Sequence, residues 1–375
     1  MFGKYARQGC RGSIAERLMK KIVIIRRNFR FDGGAERSVS CFLDVYRALG
    51  YEVSLLCESW SGPCADDIEI VSFDLKGSRA QKAAQFVQKT QEFMVNHRHS
   101  VYQSHEWVPS SDIVRLGDGL HSYWVKQLSR CRASWWALGS LFFDSFHRGR
   151  LRQERLTLMH PHLRKIIVNS EFVRQQVLDS YPTVSEKIVV VRNAIPQSFF
   201  ASSQSNRRVV DPDQAQSFRM LFVGSGWERK GLAHAIKILA ALGEQYSLAV
   251  IGQDKKANKY FRLARRMGVS SRIKFLGAIT MTEEVYKSYH GLLLPTLYDP
   301  FPNVICEALV SGLPVYCSDS CGAVDFEGFD GVNICRSDDE YEQAIRNSDT
   351  VPQADYFKTV FSADSVMKQI RDLFQ

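Results

Sequence analysis

The sequence is poor in the features that usually reveal a function directly. Its nine cysteines form neither a CxxC pair nor a Cys/His cluster with the spacing of a zinc site; they stand at positions 10, 41, 57, 64, 131, 306, 317, 321 and 335. No apolar run approaches the roughly 20 residues of a membrane-spanning helix, and the N-terminus lacks the apolar core of a signal peptide. We therefore expect reduced thiols and a cytoplasmic protein that can still touch a membrane surface.

The composition is that of an ordinary globular protein, with 45% hydrophobic and 24% charged residues over 375 positions. It excludes a disordered or collagen-like chain. The formal charge of +9 is uneven, because residues 1–200 carry 29 Lys and Arg against 19 Asp and Glu, whereas residues 201–375 carry 20 against 21. The excess in the first half predicts an anionic partner, which can be a nucleic acid, an anionic lipid or a phosphorylated substrate.

Buried-strand and amphipathic-helix patterns alternate along both halves of the chain. In the first half, 22–25 predicts a strand, 35–49 a helix and 51–57 a second strand. The same alternation returns over 165–191 and again over 218–318. Parallel strands joined by helices predict an α/β fold class with two doubly wound, Rossmann-like domains.

This alternation also sets the expected domain bounds. We expect an N-terminal extension over 1–19, a first Rossmann-like domain over 20–195 and a second over 215–360. A Pro- and Ser-rich linker separates the two domains. Residues 361–375 predict an amphipathic helix that packs back on the first domain.

Two segments that follow predicted strands have residues suited to an anion. Gly33 and Gly34 precede a helix, where glycine lets a ligand approach the backbone and the helix N-terminus offers free N–H groups. Arg229 and Lys230 lie in a Gly-rich loop after the strand at 218–224, and such cations suit a pyrophosphate. Each has a plainer alternative, since a Gly pair can be a tight turn and an Arg-Lys pair can be solvated at the surface.

A Pro-rich segment later in the chain holds two carboxylates eight positions apart. Asp299 lies in a loop, and Glu307 lies about one turn into a helix predicted to begin near Asn303. Both are therefore expected at one edge of the second sheet, where a carboxylate can accept hydrogen bonds from ribose hydroxyls. The alternative for Glu307 is an acid that only stabilises the start of its helix.

Taken together, these segments resemble the family-4 glycosyltransferases of the GT-B fold, which implies that the two Rossmann-like domains face a central cleft. The strand–Gly-Gly–helix start, GSGWERKGL at 224–232, the E-x7-E spacing at 299–307 and SGLPV at 311–315 occur in the family's order over nearly the whole chain. The likeness is greatest to the lipopolysaccharide core glucosyltransferases. That group has a Gly-Gly-x-x-Arg turn and a Ser-Trp-x-Gly-x-Cys segment, here at 33–37 and 59–64.

The resemblance implies a nucleotide-sugar donor, most often a UDP-sugar, held mainly by the second domain, and an acceptor held by the first. Arg229 and Lys230 would neutralise the donor diphosphate, and Gly33 and Gly34 would lie against the diphosphate and the sugar. Glu307 would hold the ribose hydroxyls.

Three further residues follow from the same resemblance on the donor side. Asn303 and Val304, at the helix start, would present backbone N–H groups to sugar or phosphate. Asp299 would lie near the donor sugar, although it stands where the family usually has a longer Glu.

For the reaction, the resemblance implies retention of anomeric configuration and no metal or other cofactor. The sequence agrees in having no DxD motif in a strand-end loop. Asp118 matches the family carboxylate that faces the acceptor and would assist deprotonation of the attacking hydroxyl; its alternative is a turn residue between glycines. Glucose is the favoured sugar and the lipopolysaccharide core the favoured acceptor.

The segment 121–174 combines positive charge with aromatic residues. It holds ten Lys and Arg against three Asp and Glu, with tryptophans and phenylalanines interleaved. Such a mixture favours the surface of an anionic bilayer, which predicts a peripheral protein on the cytoplasmic face of the inner membrane. The alternative is that the aromatic residues belong to the core of the first domain.

Two other functions fit parts of the sequence. A soluble sugar-nucleotide epimerase of the GT-B fold would use the same donor residues but would have no need of a basic aromatic segment. A nucleic-acid-binding protein would explain the charge, but we find no helix-turn-helix, zinc finger, RNP or KH motif, and expect no nucleic-acid partner.

Overall fold

The computed structural model describes residues 21–30, 34–62, 66–131, 144–200, 217–348 and 350–373. The first half of these residues forms β1 (Lys21–Ile25), β2 (Asn28–Arg30), β3 (Glu52–Cys57), β4 (Ser59–Ser61), β5 (Glu69–Ser72), β6 (Ser100–Ser104), β7 (Ile113–Leu116), β8 (Lys165–Val168) and β9 (Ile188–Val190). Seven of these strands make one sheet in the order β5-β3-β1-β6-β7-β8-β9, and β2 pairs with β4. Every pairing is parallel.

The central strand β1 is buried on both faces, which explains why its sequence is a continuous apolar run. Ile22 and Ile24 pack into one core cluster, whereas Val23 and Ile25 pack into another. Successive side chains of a strand point to opposite faces, so the two clusters lie on the two faces of the sheet. A strand covered on both faces has no polar alternation.

Among the described residues, five helices accompany this sheet, namely α1 (Gly34–Ala48), α2 (Arg79–Asn96), α3 (His121–Cys131), α4 (Ser145–Leu158) and α5 (Glu171–Ser180). Side-chain acceptors fix the starts of four of them, α2 to α5. Ser78 makes a capping box with Gln81 at the start of α2, and Ser170 accepts from Val173 at the start of α5. Glu154, fully buried in α4, accepts the backbone N–H of His121 at 2.6 Å and so anchors the first turn of α3.

The second half forms a six-stranded parallel sheet in the order β12-β11-β10-β13-β14-β15. Its strands are β10 (Phe218–Val223), β11 (Tyr246–Ile251), β12 (Ile273–Gly277), β13 (Gly291–Leu294), β14 (Val315–Ser318) and β15 (Val332–Cys335). Its helices are α6 (Trp227–Lys230), α7 (Leu232–Ala241), α8 (Ala257–Arg266), α9 (Glu283–Lys287), α10 (Asn303–Val310), α11 (Asp338–Arg346) and α12 (Ala354–Val360). The prediction of an α/β fold with two Rossmann-like sheets is confirmed. We call the two sheets with their helices the first lobe and the second lobe.

The last described helix, α13 (Ala363–Asp372), leaves the second lobe and returns to the first. Its Val366 and Ile370 are buried in the same core cluster as Val39 and Phe42 of α1. The chain thus passes between the lobes twice, and the two passages run side by side, since the N–H of Ile195 donates to the carbonyl of Phe361 at 3.0 Å. The predicted extension at 1–19 and most of the predicted linker lie outside the described residues.

A buried carboxylate joins the lobes behind these passages. Asp325 of the second lobe accepts the backbone N–H groups of Glu171 and Phe172 at 2.8 and 3.0 Å, and so caps α5 of the first lobe. It also accepts from Arg192 at 2.7 Å. Because the carboxylate lies at the N-terminus of α5, the helix dipole adds to this contact.

None of the described helices is both long and apolar enough to cross a bilayer.

Candidate active site

A cleft of about 930 Å³ lies between the two lobes. Its walls include the segments that follow β7 in the first lobe and β10 and β11 in the second, so it opens at the carboxyl ends of both sheets. Ligands of open α/β sheets bind outside these ends. The cleft is therefore the candidate active site.

On the second-lobe wall, backbone contact fixes the position of Arg229 and Lys230. Gly231 follows them with a φ of +80°, and a Cβ atom there would lie 1.8 Å from the carbonyl oxygen of Pro295. The N–H of Leu297 and the hydroxyl of Thr296 both donate to the carbonyl of Arg229 at 2.9 Å. Only glycine permits this close approach, which binds α6 to the loop that carries Asp299.

Asp299 holds both cations. Its Oδ2 accepts from Lys230 Nζ at 2.6 Å and from Arg229 Nη1 at 2.9 Å. The side chain of Asp299 is 8% exposed and that of Lys230 10%, whereas that of Arg229 is 39% exposed. Burial alone would raise the pKa of the Asp299 carboxyl, but the two cations outweigh it and hold that pKa below its ordinary value. The carboxylate is thus charged at neutral pH.

Glu307 belongs to the same wall of the cleft. It is 2% exposed, one turn into α10, and its Oε2 accepts the hydroxyl of Tyr286 at 2.8 Å. Asn303 and Val304, at the start of α10, are half-buried and line the cleft beside it. Tyr286, whose hydroxyl fixes one oxygen of Glu307, was not predicted from the sequence as a site residue.

On the first-lobe wall, Asp118 lies in the turn after β7 with its side chain 79% exposed. The next residue, Gly119, has a φ of +69°, and a Cβ atom there would lie 1.9 Å from the hydroxyl oxygen of Tyr298. Tyr298 is the neighbour of Asp299 and donates to Gln176 of α5 at 3.0 Å. One buried tyrosine therefore sets the position of the Asp118 turn relative to the Asp299 cluster.

Amide side chains connect the two walls at the base of the cleft. Arg115 of β7 donates to Asn193 at 2.6 Å, and Asn193 donates to Asn303 at 2.8 Å. Burial lowers the pKa of Arg115 to about 10, so this guanidinium remains charged at neutral pH. The contacts place a buried positive charge within the first-lobe wall.

The rest of the first-lobe wall combines aromatic rings with cations. The guanidinium of Arg79 lies 3.8 Å from the centroid of the Phe146 ring. His121 and His147 stack with ring nitrogens 3.0 Å apart. Arg150 lies one turn after His147 and contacts Glu106 at 3.4 Å. None of these residues was predicted from the sequence to belong to the site.

The structure brings most of the predicted site residues to this cleft, which is lined by Asp118, Arg229, Lys230, Asp299, Asn303, Val304 and Glu307. Gly34 opens α1, and Gly33 lies outside the described residues. The roles of all these residues stay predictions. The ion pairs of Asp299 with Arg229 and Lys230 were not foreseen, because the sequence analysis treated these side chains as separate donor contacts.

The basic aromatic segment 121–174 divides into two parts. Trp124, Phe146 and Arg150 line the cleft. On α4, other members are exposed to solvent, namely Arg148, Arg152 and Arg155, and exposed apolar side chains follow them at Leu156 and Met159. Residues 132–143, which hold several of the aromatics, lie outside the described residues.

Two protein-family models match the chain in tandem. One described as "Glycosyltransferase Family 4" matches residues 32–199, and one described as "Glycosyl transferases group 1" matches residues 217–348. The chain belongs to this glycosyltransferase family. The two matches correspond to the two lobes, so the glycosyltransferase models account for both walls of the cleft.

Individual relatives agree with this membership. The chain is 25% identical to the lipopolysaccharide glucosyltransferase WaaG of Escherichia coli K12 over 301 residues, which cover 77% of this chain and 78% of that protein. The crystal structure of a WaaG superimposes with a TM-score of 0.70, at 20% identity, over 92% of this chain and 94% of the other. Anabaena HepE in complex with UDP and glucose superimposes with a TM-score of 0.64, at 15% identity, over 95% and 99%. The glycosyltransferase has the GT-B fold.

Among the described residues, no group of three or more His, Cys, Asp and Glu side chains could hold a metal ion. That the reaction needs no metal and no other cofactor stays a prediction.

Proposed function

We propose that this glycosyltransferase moves a hexose, glucose being favoured, from a UDP-sugar to a glycolipid acceptor, the lipopolysaccharide core, with retention of anomeric configuration. The observation that carries the proposal is the cluster in which Asp299 holds Arg229 and Lys230 at the cleft, 2.9 and 2.6 Å away. Similarity to WaaG, a lipopolysaccharide glucosyltransferase, supports the acceptor class. Similarity to HepE, solved with UDP and glucose, supports the donor.

In this proposal the second lobe binds the donor. Arg229 is partly exposed to the cleft, so it offers guanidinium N–H groups to the diphosphate while Asp299 holds another part of it. Lys230 adds a point charge. When the bond from the anomeric carbon to the phosphate oxygen breaks, negative charge grows on the diphosphate, and both cations are already in position to stabilise it. Glu307 accepts hydrogen bonds from the ribose hydroxyls, and Tyr286 fixes one of its two oxygens.

The first lobe binds the acceptor. Asp118 is exposed at the cleft wall opposite Asp299, where its carboxylate can take the proton of the attacking hydroxyl. Arg26 forms an ion pair with Asp118 at 3.7 Å. Retention of configuration requires the hydroxyl oxygen to bond to the anomeric carbon on the same face from which the UDP leaves.

Activity is tested by incubating the protein with a panel of UDP-sugars and truncated lipopolysaccharide core acceptors, with the products weighed by mass spectrometry. We expect one hexose to be added to an acceptor, and NMR of the product to give the donor's anomeric configuration. Rearranged or hydrolysed sugar nucleotide with no dependence on acceptor would instead support the epimerase alternative. No reaction and no binding of UDP would contradict the proposal.

We further propose that the protein is peripheral on the cytoplasmic face of the inner membrane. The exposed arginines of α4 and their neighbours Leu156 and Met159 support this, because cations and apolar side chains together favour an anionic bilayer. Sedimentation with phosphatidylglycerol vesicles tests it. Replacing Arg148, Arg152 and Arg155 by Ala should abolish most of the binding. The matched control replaces three exposed arginines of α8, Arg262, Arg265 and Arg266, and should bind like the wild type.

Equal vesicle binding by the α4 triple variant and the wild-type protein would contradict the membrane proposal. The same result from both triple variants would mean that only total charge matters.

A further inference from the structure

The first-lobe wall of the cleft holds more positive charge than its carboxylates balance. Arg79, Arg115 and Arg150 line this wall, and Asp118 is the one carboxylate among the described residues that line it with them. The second-lobe wall is balanced, because Arg229 and Lys230 face Asp299 and Glu307. An excess of cations in a partly desolvated cleft attracts an anionic ligand.

Arg79 is the most available of these cations. It is the first residue of α2, it is exposed, and its guanidinium stacks 3.8 Å above the Phe146 ring. Stacking occupies the face of the guanidinium and leaves the N–H donors around its edge directed outward. Among the described residues, no carboxylate lies within ion-pair distance of Arg79.

Arg150 and His147 approach from α4. They are three residues apart and so share one face of the helix. The Glu106 carboxylate contacts Arg150 at 3.4 Å but also lies 3.7 Å from Arg26, so its charge is shared. We call Arg79, Phe146, His147 and Arg150 the arginine corner.

The pKa of the neighbouring His121 is affected by the positive charge at this corner. Burial lowers the pKa of His121 to about 3, and the charges of Arg150, His147 and Arg79 act in the same direction. His121 is therefore neutral at neutral pH, and the cations around it are close enough to act on its ring.

The corner lies on the acceptor side of the cleft. Arg150 lines a small cavity together with Asp118 and Gly119, the turn that we assign to the attacking hydroxyl. The donor cations Arg229 and Lys230 belong to the opposite wall. The side chain of Arg150 is 22% exposed, which withdraws it from any flat bilayer surface.

We propose that the arginine corner binds an anionic group, a phosphate or a carboxylate, carried by the acceptor sugar itself. The inference rests on the proposed glycosyl transfer and names the class of its acceptor. The anion accepts charge-assisted hydrogen bonds from Arg79 and Arg150, and it thereby orients the neighbouring hydroxyl toward Asp118. An acceptor without this group loses that orientation.

Calorimetry on the full chain in saturating UDP tests the corner, since UDP keeps phosphate out of the donor site. The probes are inorganic phosphate, mannose 6-phosphate, mannuronate and mannose. We expect the anionic sugars to bind and mannose to bind at least tenfold more weakly, a difference of about 1.4 kcal/mol. Whether mannose 6-phosphate or mannuronate binds more tightly distinguishes the two anionic groups.

Variants assign the binding to the corner. Arg79→Ala and Arg150→Ala should each weaken mannose 6-phosphate binding about tenfold, and Arg79→Lys should recover part of it. Arg98→Ala is the matched control, because Arg98 is exposed just beyond the other end of α2, and an 18-residue helix is about 27 Å long. The affinity for UDP alone should be the same in all variants.

Three outcomes would overturn the inference. Unchanged sugar-phosphate binding in the double variant Arg79→Ala/Arg150→Ala would remove the corner as the site. An equal loss of UDP affinity would assign these arginines to the donor diphosphate. A loss of sedimentation with phosphatidylglycerol vesicles, without loss of sugar-phosphate binding, would assign them to a lipid headgroup. Failure of the wild type to bind UDP would instead contradict the proposed transfer, and it is measured separately.

Discussion

The two walls of the cleft carry their charges differently. On the second-lobe wall, the carboxylate of Asp299 lies within 3 Å of both Lys230 and Arg229, and all three are fixed by the backbone contact at Gly231. On the first-lobe wall, Asp118 is exposed and its nearest cation, Arg26, is 3.7 Å away. The cations of the second-lobe wall are thus paired and held in position without a ligand. The first-lobe wall instead has an excess of positive charge that a ligand can neutralise.

This difference agrees with the two tasks of a glycosyltransferase. A diphosphate leaving group needs cations whose position does not change as charge develops, because reorganisation would raise the barrier. An acceptor must be selected and oriented, and a wall with excess charge favours acceptors of the opposite sign. The predictions that follow test whether the walls differ in this way.

The largest effect is expected from Lys230→Ala. Removing a buried cation that stabilises the departing diphosphate should lower kcat/KM about 10³-fold, as for the loss of one preorganised group at a developing charge. Steady-state transfer with a saturating acceptor measures it. Lys237→Ala, an exposed lysine of α7, is the matched control and should keep wild-type kinetics. If Lys230→Ala were as active as the control, the second-lobe wall would not be the catalytic one.

The contrast between the two carboxylates is tested by Asp299→Asn and Asp118→Asn. Asp299→Asn leaves two cations without their buried partner and should lower the free energy of unfolding by about 3 kcal/mol, the low end for such a loss because Arg229 is 39% exposed. Binding of UDP to the folded variant should restore part of the lost free energy of unfolding. Asp118→Asn should stay within about 0.5 kcal/mol of the wild type. Urea unfolding measures both variants, and equal losses would remove the distinction between the walls.

The connection between the walls is tested at Gly119. An added methyl group at Gly119 meets the Tyr298 hydroxyl, so Gly119→Ala should cost about 2 kcal/mol of stability and lower kcat by moving Asp118. Gly50→Ala has a similar positive φ but open space around it, and should cost about 1 kcal/mol with unchanged kcat. Similar results from both variants would mean that backbone strain, and not contact with Tyr298, explains the effect.

The smallest expected effect lies behind the second-lobe wall. Tyr286→Phe removes one hydrogen bond to Glu307 and should raise the KM for the UDP-sugar about fivefold, which corresponds to about 1 kcal/mol, with kcat unchanged. The half-buried neighbour Tyr289 offers a matched control, because it is not among the described residues that line the cleft. A fall in kcat at constant KM would contradict the assignment of Glu307 to donor binding.

The alternation of strands and helices was predictable wherever the apolar pattern is strong. The strands predicted at 22–25 and 51–57 and the helix predicted at 35–49 agree with β1, β3 and α1 to within a residue, because the strands are covered on both faces and so are largely apolar. The middle of the first lobe was not assigned. Its helix α2 is rich in Gln and Lys and buries only four described side chains, Ala83, Phe86, Thr90 and Met94, although their spacing of three and four could have indicated it.

The candidate site likewise contains residues that were predictable from the sequence and contacts that were not. Arg229, Lys230 and Glu307 were found because they follow strand ends in recognisable segments. The ion pairs of Arg229 and Lys230 with Asp299 join side chains about 70 positions apart, and no local pattern encodes such a contact. Arg79 and Arg150 look like ordinary surface arginines in the sequence. Only the packing of α2 against α4 brings them together at one wall.

The return of α13 to the first lobe has a consequence for synthesis. The face of α1 that receives Val366 and Ile370 has no cover until the ribosome has made residues beyond the entire second lobe. Domains generally fold in the order in which they emerge from the ribosome. Here the first lobe keeps part of its core exposed to water until α13 has been synthesised. A nascent chain of this enzyme therefore exposes an apolar surface for most of its translation, which gives chaperones a natural binding target and makes truncation near the end costly for the beginning.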